Sequence, residues 1–114
     1  MQHDASMRLL LIEDNPGDAR LIREMLRDQA DVTIIHVETL EDGFNACKET
    51  SFDMALLDLS LPDSHGVETV LPMSADLPDL PIVVLTGSDD EGLGIEAVQA
   101  GAQDYLIKGD TDAK

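Results

Sequence analysis

An α/β domain built on a parallel sheet is the fold class this sequence predicts, and three observations carry it. Two runs, Leu9-Leu10-Leu11-Ile12 and Met54-Ala55-Leu56-Leu57, are unbroken in apolar character, as strands covered on both faces must be. Strand-like runs alternate with helical periods along the whole chain, so right-handed crossovers must join parallel strands. A length of 114 residues suits one domain with a core of its own, and no internal repeat, low-complexity tract or linker divides it.

Composition narrows the function classes. Aromatic residues make up 3% of the chain, so the core must be aliphatic. No apolar run approaches the roughly 18 residues needed to span a bilayer. Residues 1–7 carry neither a basic n-region nor a long apolar h-region, and read as a short disordered lead or a cloning remnant. The single Cys47 excludes an internal disulfide and suits a reducing cytoplasm; it is expected to be a small buried core residue. The net charge of -17 repels nucleic-acid phosphate and anionic lipid, which argues against direct nucleic-acid binding and membrane association by this segment. It favours a basic protein partner or a divalent cation.

In chain order, Arg8–Ile12 is the first strand and stops at Glu13-Asp14. Asn15-Pro16 then starts a helix, with a capping side chain followed by proline at the first helical position. Ala19, Ile22, Met25 and Leu26 keep its apolar period, while Arg20, Arg23 and Arg27 fall on the other side. Val32–Val37 is a β-branched strand that ends without obvious chemistry. Thr39 and Asp42 resemble a capping box ahead of a helix with Leu40, Phe44 and Cys47 on one side. The central strand follows and stops at Asp58. Pro62 and Gly66 at short offsets turn the chain sharply and expose that carboxylate, unless Asp58 is an ordinary cap or turn residue.

A helix should begin at Gly66. Pro72 removes a hydrogen bond inside it, at ~3 kcal/mol, and predicts a helix that is short, kinked or restarted. Pro81–Leu85 is the fourth strand, ending at Thr86-Gly87. Ser88 with Glu91 forms a capping box for a helix softened by Gly92 and Gly94, at ~1 kcal/mol each. Ala97 and Val98 are expected to pack inward, and Gly101 to stop the helix. Tyr105–Ile107 is the fifth strand and ends at Lys108-Gly109.

Four strands therefore end in Glu13-Asp14, Asp58, Thr86 and Lys108, and a parallel sheet places those ends on one edge. Open parallel sheets bind ligands beyond that edge. Three carboxylates together are unfavourable, so one takes a proton or a cation enters. Oxygen donors with room for water suit Mg²⁺, and the absence of a Cys/His cluster argues against zinc. His3, His36 and His65 are scattered and read as surface or loop residues. A carboxylate beside Mg²⁺ with lysine and threonine donors is equipped for phosphoryl chemistry, with the aspartate as nucleophile and the ammonium neutralising the transferring oxygens. Thr86 can hold a phosphoryl oxygen, and Gly87 leaves the approach to it open.

These residues resemble the receiver domain of two-component response regulators over about Arg8 to Gly109. The acidic pair matches Glu13 and Asp14, and the phosphoacceptor with its proline and glycine matches Asp58, Pro62 and Gly66. The switch threonine matches Thr86, the rotating aromatic Tyr105 and the essential lysine Lys108. The resemblance implies a flavodoxin-like (CheY-like) doubly wound five-stranded parallel sheet, order 2-1-3-4-5. It implies a receiver at 8–109, a truncated tail at 110–114, and a missing last helix, since only six residues follow Lys108. It further implies Mg²⁺ held by Asp14, Asp58 and the Ser60 backbone carbonyl, with Glu13 acting through water.

The implied function is phosphorelay signalling in the cytoplasm, as a phosphoacceptor rather than an enzyme. Asp58 would take its phosphoryl group from a sensor histidine kinase or phosphotransfer protein, and the surface around the fourth helix and fifth strand would switch. A fused or separate output domain is implied with it, and a homodimer is compatible with it. Tyr105 is either the switch aromatic or ordinary strand packing. Arg20, Arg23 and Arg27 are either a salt-bridged solvated face or a kinase-docking face. The chain departs from the family at Lys108-Gly109, where Lys-Pro, often cis, is usual. The rivals are a Mg²⁺-dependent aspartyl-phosphate phosphatase, which wants a second Asp where Ser60 stands, and a phosphorylation-independent protein-binding module.

Overall fold

Strands and helices alternate through residues 7–27, 31–87 and 91–108, the part of the chain that the computed structural model describes. The elements are β1 (Met7–Ile12), α1 (Pro16–Leu26), β2 (Val32–Val37), α2 (Leu40–Glu49), β3 (Met54–Asp58), β4 (Ser60–Leu61), β5 (Ser64–His65), α3 (Val67–Asp76), β6 (Ile82–Thr86), α4 (Glu91–Gln99) and β7 (Asp104–Ile107). Five strands form one parallel sheet in the order β2-β1-β3-β6-β7. With the two-residue hairpin β4-β5 set aside, this is the expected 2-1-3-4-5. The hairpin itself was not expected: it is antiparallel and pairs Ser60 with His65 and Leu61 with Ser64. Four helices occur among the described residues. None of them is long and apolar enough to cross a membrane.

Strand alternation divides the core in two. Leu10, Ile12, Ala55, Leu57, Ile82 and Val84 face one side, where they meet Leu40, Val70, Met73 and Ala97 from α2, α3 and α4. Leu9, Leu11, Leu56, Val83 and Leu85 face the other, against Ala19, Ile22 and Leu26 of α1. Successive residues of a strand point to opposite faces, so an unbroken apolar run is the signature of a sheet with helices on both. Burying each large aliphatic side chain here contributes ~1.5–3 kcal/mol.

The helix starts obey local chemistry. The Asn15 side chain accepts from the Asp18 N–H at 3.0 Å, and Pro16 occupies the first turn of α1. Thr39 Oγ1 accepts from the Asp42 N–H at 3.0 Å. The two remaining N–H groups at that end, of Leu40 and Glu41, donate to the Asp63 carboxylate at 2.9 and 3.1 Å. The loop after the central strand is thereby pinned to α2. Gly66 enters α3 at φ 63° and ψ -148°, a combination essentially restricted to glycine.

Several expectations are corrected. The first strand begins at Met7 rather than Arg8, with Met7 opposite Val32. The helix carrying Pro72 is neither short nor restarted; α3 runs continuously over ten residues. Pro72 and Glu68, whose carbonyl loses its helical partner, both lie on the exposed side, where solvent can satisfy it. Met25 and Val98 do not face the core, being 59% and 37% exposed. Gly94 is buried against Tyr105: a Cβ there would stand 2.6 Å from the ring. The capping box of Ser88 and Glu91, the lead at 1–6, Gly109 and the tail at 110–114 lie outside the described residues.

Candidate functional site

Strand register brings the candidate residues together. Ile12 lies opposite Leu57, so Glu13 follows at the level of Asp58. Asp58 lies opposite Leu85, one residue short of Thr86. Thr86 lies opposite Ile107, and the Lys108 N–H donates to the Thr86 carbonyl at 2.6 Å. Parallel pairing therefore collects four strand ends at one edge.

Lys108 sits at the centre. Its ammonium donates to Asp18 Oδ2 at 2.9 Å, to Asp58 Oδ1 at 3.2 Å and to Glu13 Oε1 at 3.2 Å. Glu13 is wholly buried and Asp58 nearly so. The second oxygen of Glu13 accepts from the Asn15 N–H at 3.2 Å. Burial, then the neighbouring Asp58 carboxylate, pushes the Glu13 carboxyl from 4.5 up to about 7, against the pull of Asn15 and Lys108. Burial alone would draw a proton off Lys108, but Asp18, Asp58 and Glu13 outweigh it and hold the ammonium above its ordinary range.

Glu13, Asp14 and Asp58 each present an oxygen within 4.8 Å of the others, a spacing that one cation can bridge. The donors are all oxygen, and two of the three carboxylates are buried while Asp14 is half-exposed. This is a hard, oxygen-rich site in which one carboxyl holds its proton to near neutrality, so a divalent cation fits the charge it lacks. Asp58, Ser60, Thr86, Gly87 and Lys108 line an open cavity of about 200 Å³. Thr86 is buried, and its hydroxyl reaches the Leu106 carbonyl at a long 3.5 Å. Tyr105 is half-buried and does not line this cavity.

Arg20, Arg23 and Arg27 are exposed along α1, away from the cavity. With Glu24 they line a shallow depression, and Arg27 pairs with Glu24 at 3.5 Å. Cys47 is half-buried against the core rather than fully buried, and burial raises its thiol.

Two residues of the site escaped the sequence reading. Asp18 makes the shortest of the three bonds to Lys108, and its signal was an acidic residue in the first turn after β1. His36 lies half-buried on β2, and its Nε2 donates to the Glu13 backbone carbonyl at 2.7 Å. The strand read as ending without chemistry therefore supports the acidic pair from behind.

Residues 9–113 match the family model described as the response regulator receiver domain. The cell cycle transcriptional regulator CtrA of Caulobacter vibrioides is 32% identical over 102 residues, 90% of this chain and 44% of that protein. The regulatory protein LuxO of Vibrio cholerae is 36% identical over 98 residues, 86% of this chain and 21% of its own length. The chain thus spans less than half of these relatives. Among solved structures, the phosphorylated cyanobacterial phytochrome response regulator RcpA superposes with a TM-score of 0.82 at 26% identity, covering 93% of this chain and 83% of that one.

Proposed function

The chain belongs to the response regulator receiver domain family, a regulatory domain of two-component phosphorelay signalling, and from that premise we propose that Asp58 is its phosphoacceptor. One observation carries the reading: the Asp58 carboxylate, at the end of the central strand, faces a cavity shared with Thr86, Gly87 and the Lys108 ammonium. A phosphohistidine on a sensor histidine kinase or phosphotransfer protein is the donor. An Asp58 oxygen attacks phosphorus, the P–N bond breaks, and its electron pair stays on the departing imidazole, which takes up a proton. Asp58 becomes a mixed carboxylic–phosphoric anhydride.

Each neighbour has a part. Lys108 offers a mobile positive charge to the oxygens of the transferring group. Thr86 lies one position beyond the Asp58 partner on β6, where its hydroxyl can turn from Leu106 to a phosphoryl oxygen. Gly87 adds no side chain to the entrance. Glu13, Asp14, Asp58 and the Ser60 backbone carbonyl would hold Mg²⁺, and the acidic set fits it. When bound, the ion supplies charge neutralisation for the equatorial oxygens of the phosphoryl group.

Output follows from coupling to the surface. Thr86 and Tyr105 are the switch pair in this proposal, with α4 and β7 the surface that changes; the Tyr105 ring already rests on Gly94 of α4. The arginine face of α1 is the docking surface for the kinase, a local positive patch on a chain of net charge -17 that complements an acidic surface on the partner. Relatives named as transcriptional regulators are more than twice as long as their matched part, which supports an output domain, fused or separate.

The test is intact-mass measurement after incubation with Mg²⁺ and acetyl phosphate. The native protein should gain one phosphate and Asp58→Ala none. Equal labelling of both, or of neither, would reject Asp58 as the acceptor.

A further inference from the structure

Lys108 has three N–H donors, and all three are engaged, by Asp18, Asp58 and Glu13. An ammonium so placed has none left for an incoming group. Resting on Asp58 as phosphoacceptor, we infer that Asp18 is a positioning residue that parks Lys108, and that its bond is the one surrendered when a phosphoryl oxygen arrives.

The three partners are unequal. Glu13 is 0% exposed; stripped of Lys108 it would be a buried carboxylate that water cannot reach, and such a group is expensive to strand. Asp58 becomes the anhydride, and its negative charge passes to the phosphoryl oxygens that Lys108 must follow. Asp18 is 37% exposed, on the first turn of α1. Water can replace the ammonium there with little loss.

Asp18 is therefore the exchangeable partner. It competes with the phosphoryl group for one lysine and sets how strongly a donor must drive the reaction. Its release also unlinks α1 from the end of β7, since Lys108 spans the two. A phosphoryl-dependent change would then reach the helix that carries Arg20, Arg23 and Arg27, in addition to the surface around α4.

Beryllium trifluoride with Mg²⁺ is the probe, because it mimics a phosphoryl group on a carboxylate without a chemical step. Asp18→Asn, with Asp18→Ser as a second variant, should tighten its binding about two- to fivefold, the range of a partly exposed ion pair. The decisive readout is the Asp18 carboxyl carbon resonance. In unliganded Lys108→Ala it reports an unpaired Asp18. In the native protein it should move to that position on addition of the probe. A resonance that stays put overturns the inference even if the variants bind more tightly through charge alone, and unchanged or weaker binding in both variants overturns it too. Failure of the native protein to bind, with Asp58→Ala as control, removes the phosphoacceptor reading along with it; binding with an unmoved Asp18 removes only the inference.

Discussion

Replacing Glu13 by glutamine should abolish most of the fall in stability that Glu13 imposes on the metal-free protein between about pH 5 and pH 8. Glu13 is wholly buried, and its carboxyl titrates at about 7 when folded against 4.5 in the open chain. The folded state thus binds this proton more tightly than the unfolded state. The penalty is absent below 4.5, grows as pH rises, and is complete above about 7. The gap, 7 less 4.5, is about 2.5, and at 1.36 kcal/mol for each pH unit the ceiling is ~3 kcal/mol. Lys108 adds no slope in this window, because an ammonium raised above 10.5 is protonated in both states there.

Glutamine keeps the shape and can still accept from Lys108. Its amide faces the Asn15 N–H, however, and leaves that donor unpaired at ~1 kcal/mol. Glu13→Gln should then be about 1–2 kcal/mol more stable than native near pH 8 and slightly less stable near pH 5. Urea denaturation of both proteins in a chelating buffer measures this, because their difference cancels the titrating groups that do not interact with Glu13. Parallel curves, or a native protein that gains on the variant as pH rises, would refute the placement of Glu13 as a buried, proton-holding carboxyl. Added Mg²⁺ should narrow the gap near pH 8 by stabilising the native protein.

Two further predictions concern the loop that carries the chain away from Asp58. Asp63→Ala leaves the Leu40 and Glu41 N–H groups uncapped and should destabilise by ~1 kcal/mol. Burial opposes ionisation of Asp63, but the backbone N–H groups of Leu40 and Glu41 prevail and hold its carboxyl below 3.8. Its contribution is therefore present above that value and lost as pH falls through the lower folded one, so native and Asp63→Ala curves should converge in acid. Gly66→Ala places a side chain at φ 63° and should cost ~1–3 kcal/mol, read as a lower denaturant midpoint at unchanged slope. The nearest atom to the new Cβ would be Leu93 Cδ1 at 3.6 Å, so a loss of this size comes from the backbone rather than from a clash.

The legible part of the fold was that which local chemistry decides. The runs ending at Glu13 and Asp58 announced buried parallel strands, because runs this short with apolar residues on both faces suit a strand covered by helices on either side. Asn15-Pro16 announced a helix start, since capping spans three residues and needs no distant partner. Pro72 neither shortens nor restarts α3, because its local penalty falls on the side of the helix that faces solvent. Met25 and Val98 each keep a helical period, yet the periodic stripe is wider than the neighbour that covers it.

What the chain determined by itself is the alternation of elements and the polar residue at four of the five strand tips, since both are written in adjacent side chains. What only the tertiary structure decided is who touches whom across long separations. Lys108 reaches Asp18 across 90 residues, and His36 reaches Glu13 across 23. Those contacts depend on strand order and register, which sum the packing of the whole sheet. No single stretch of sequence contains that sum, so the cluster of carboxylates was visible as a set of candidates while its closest ion pair was not.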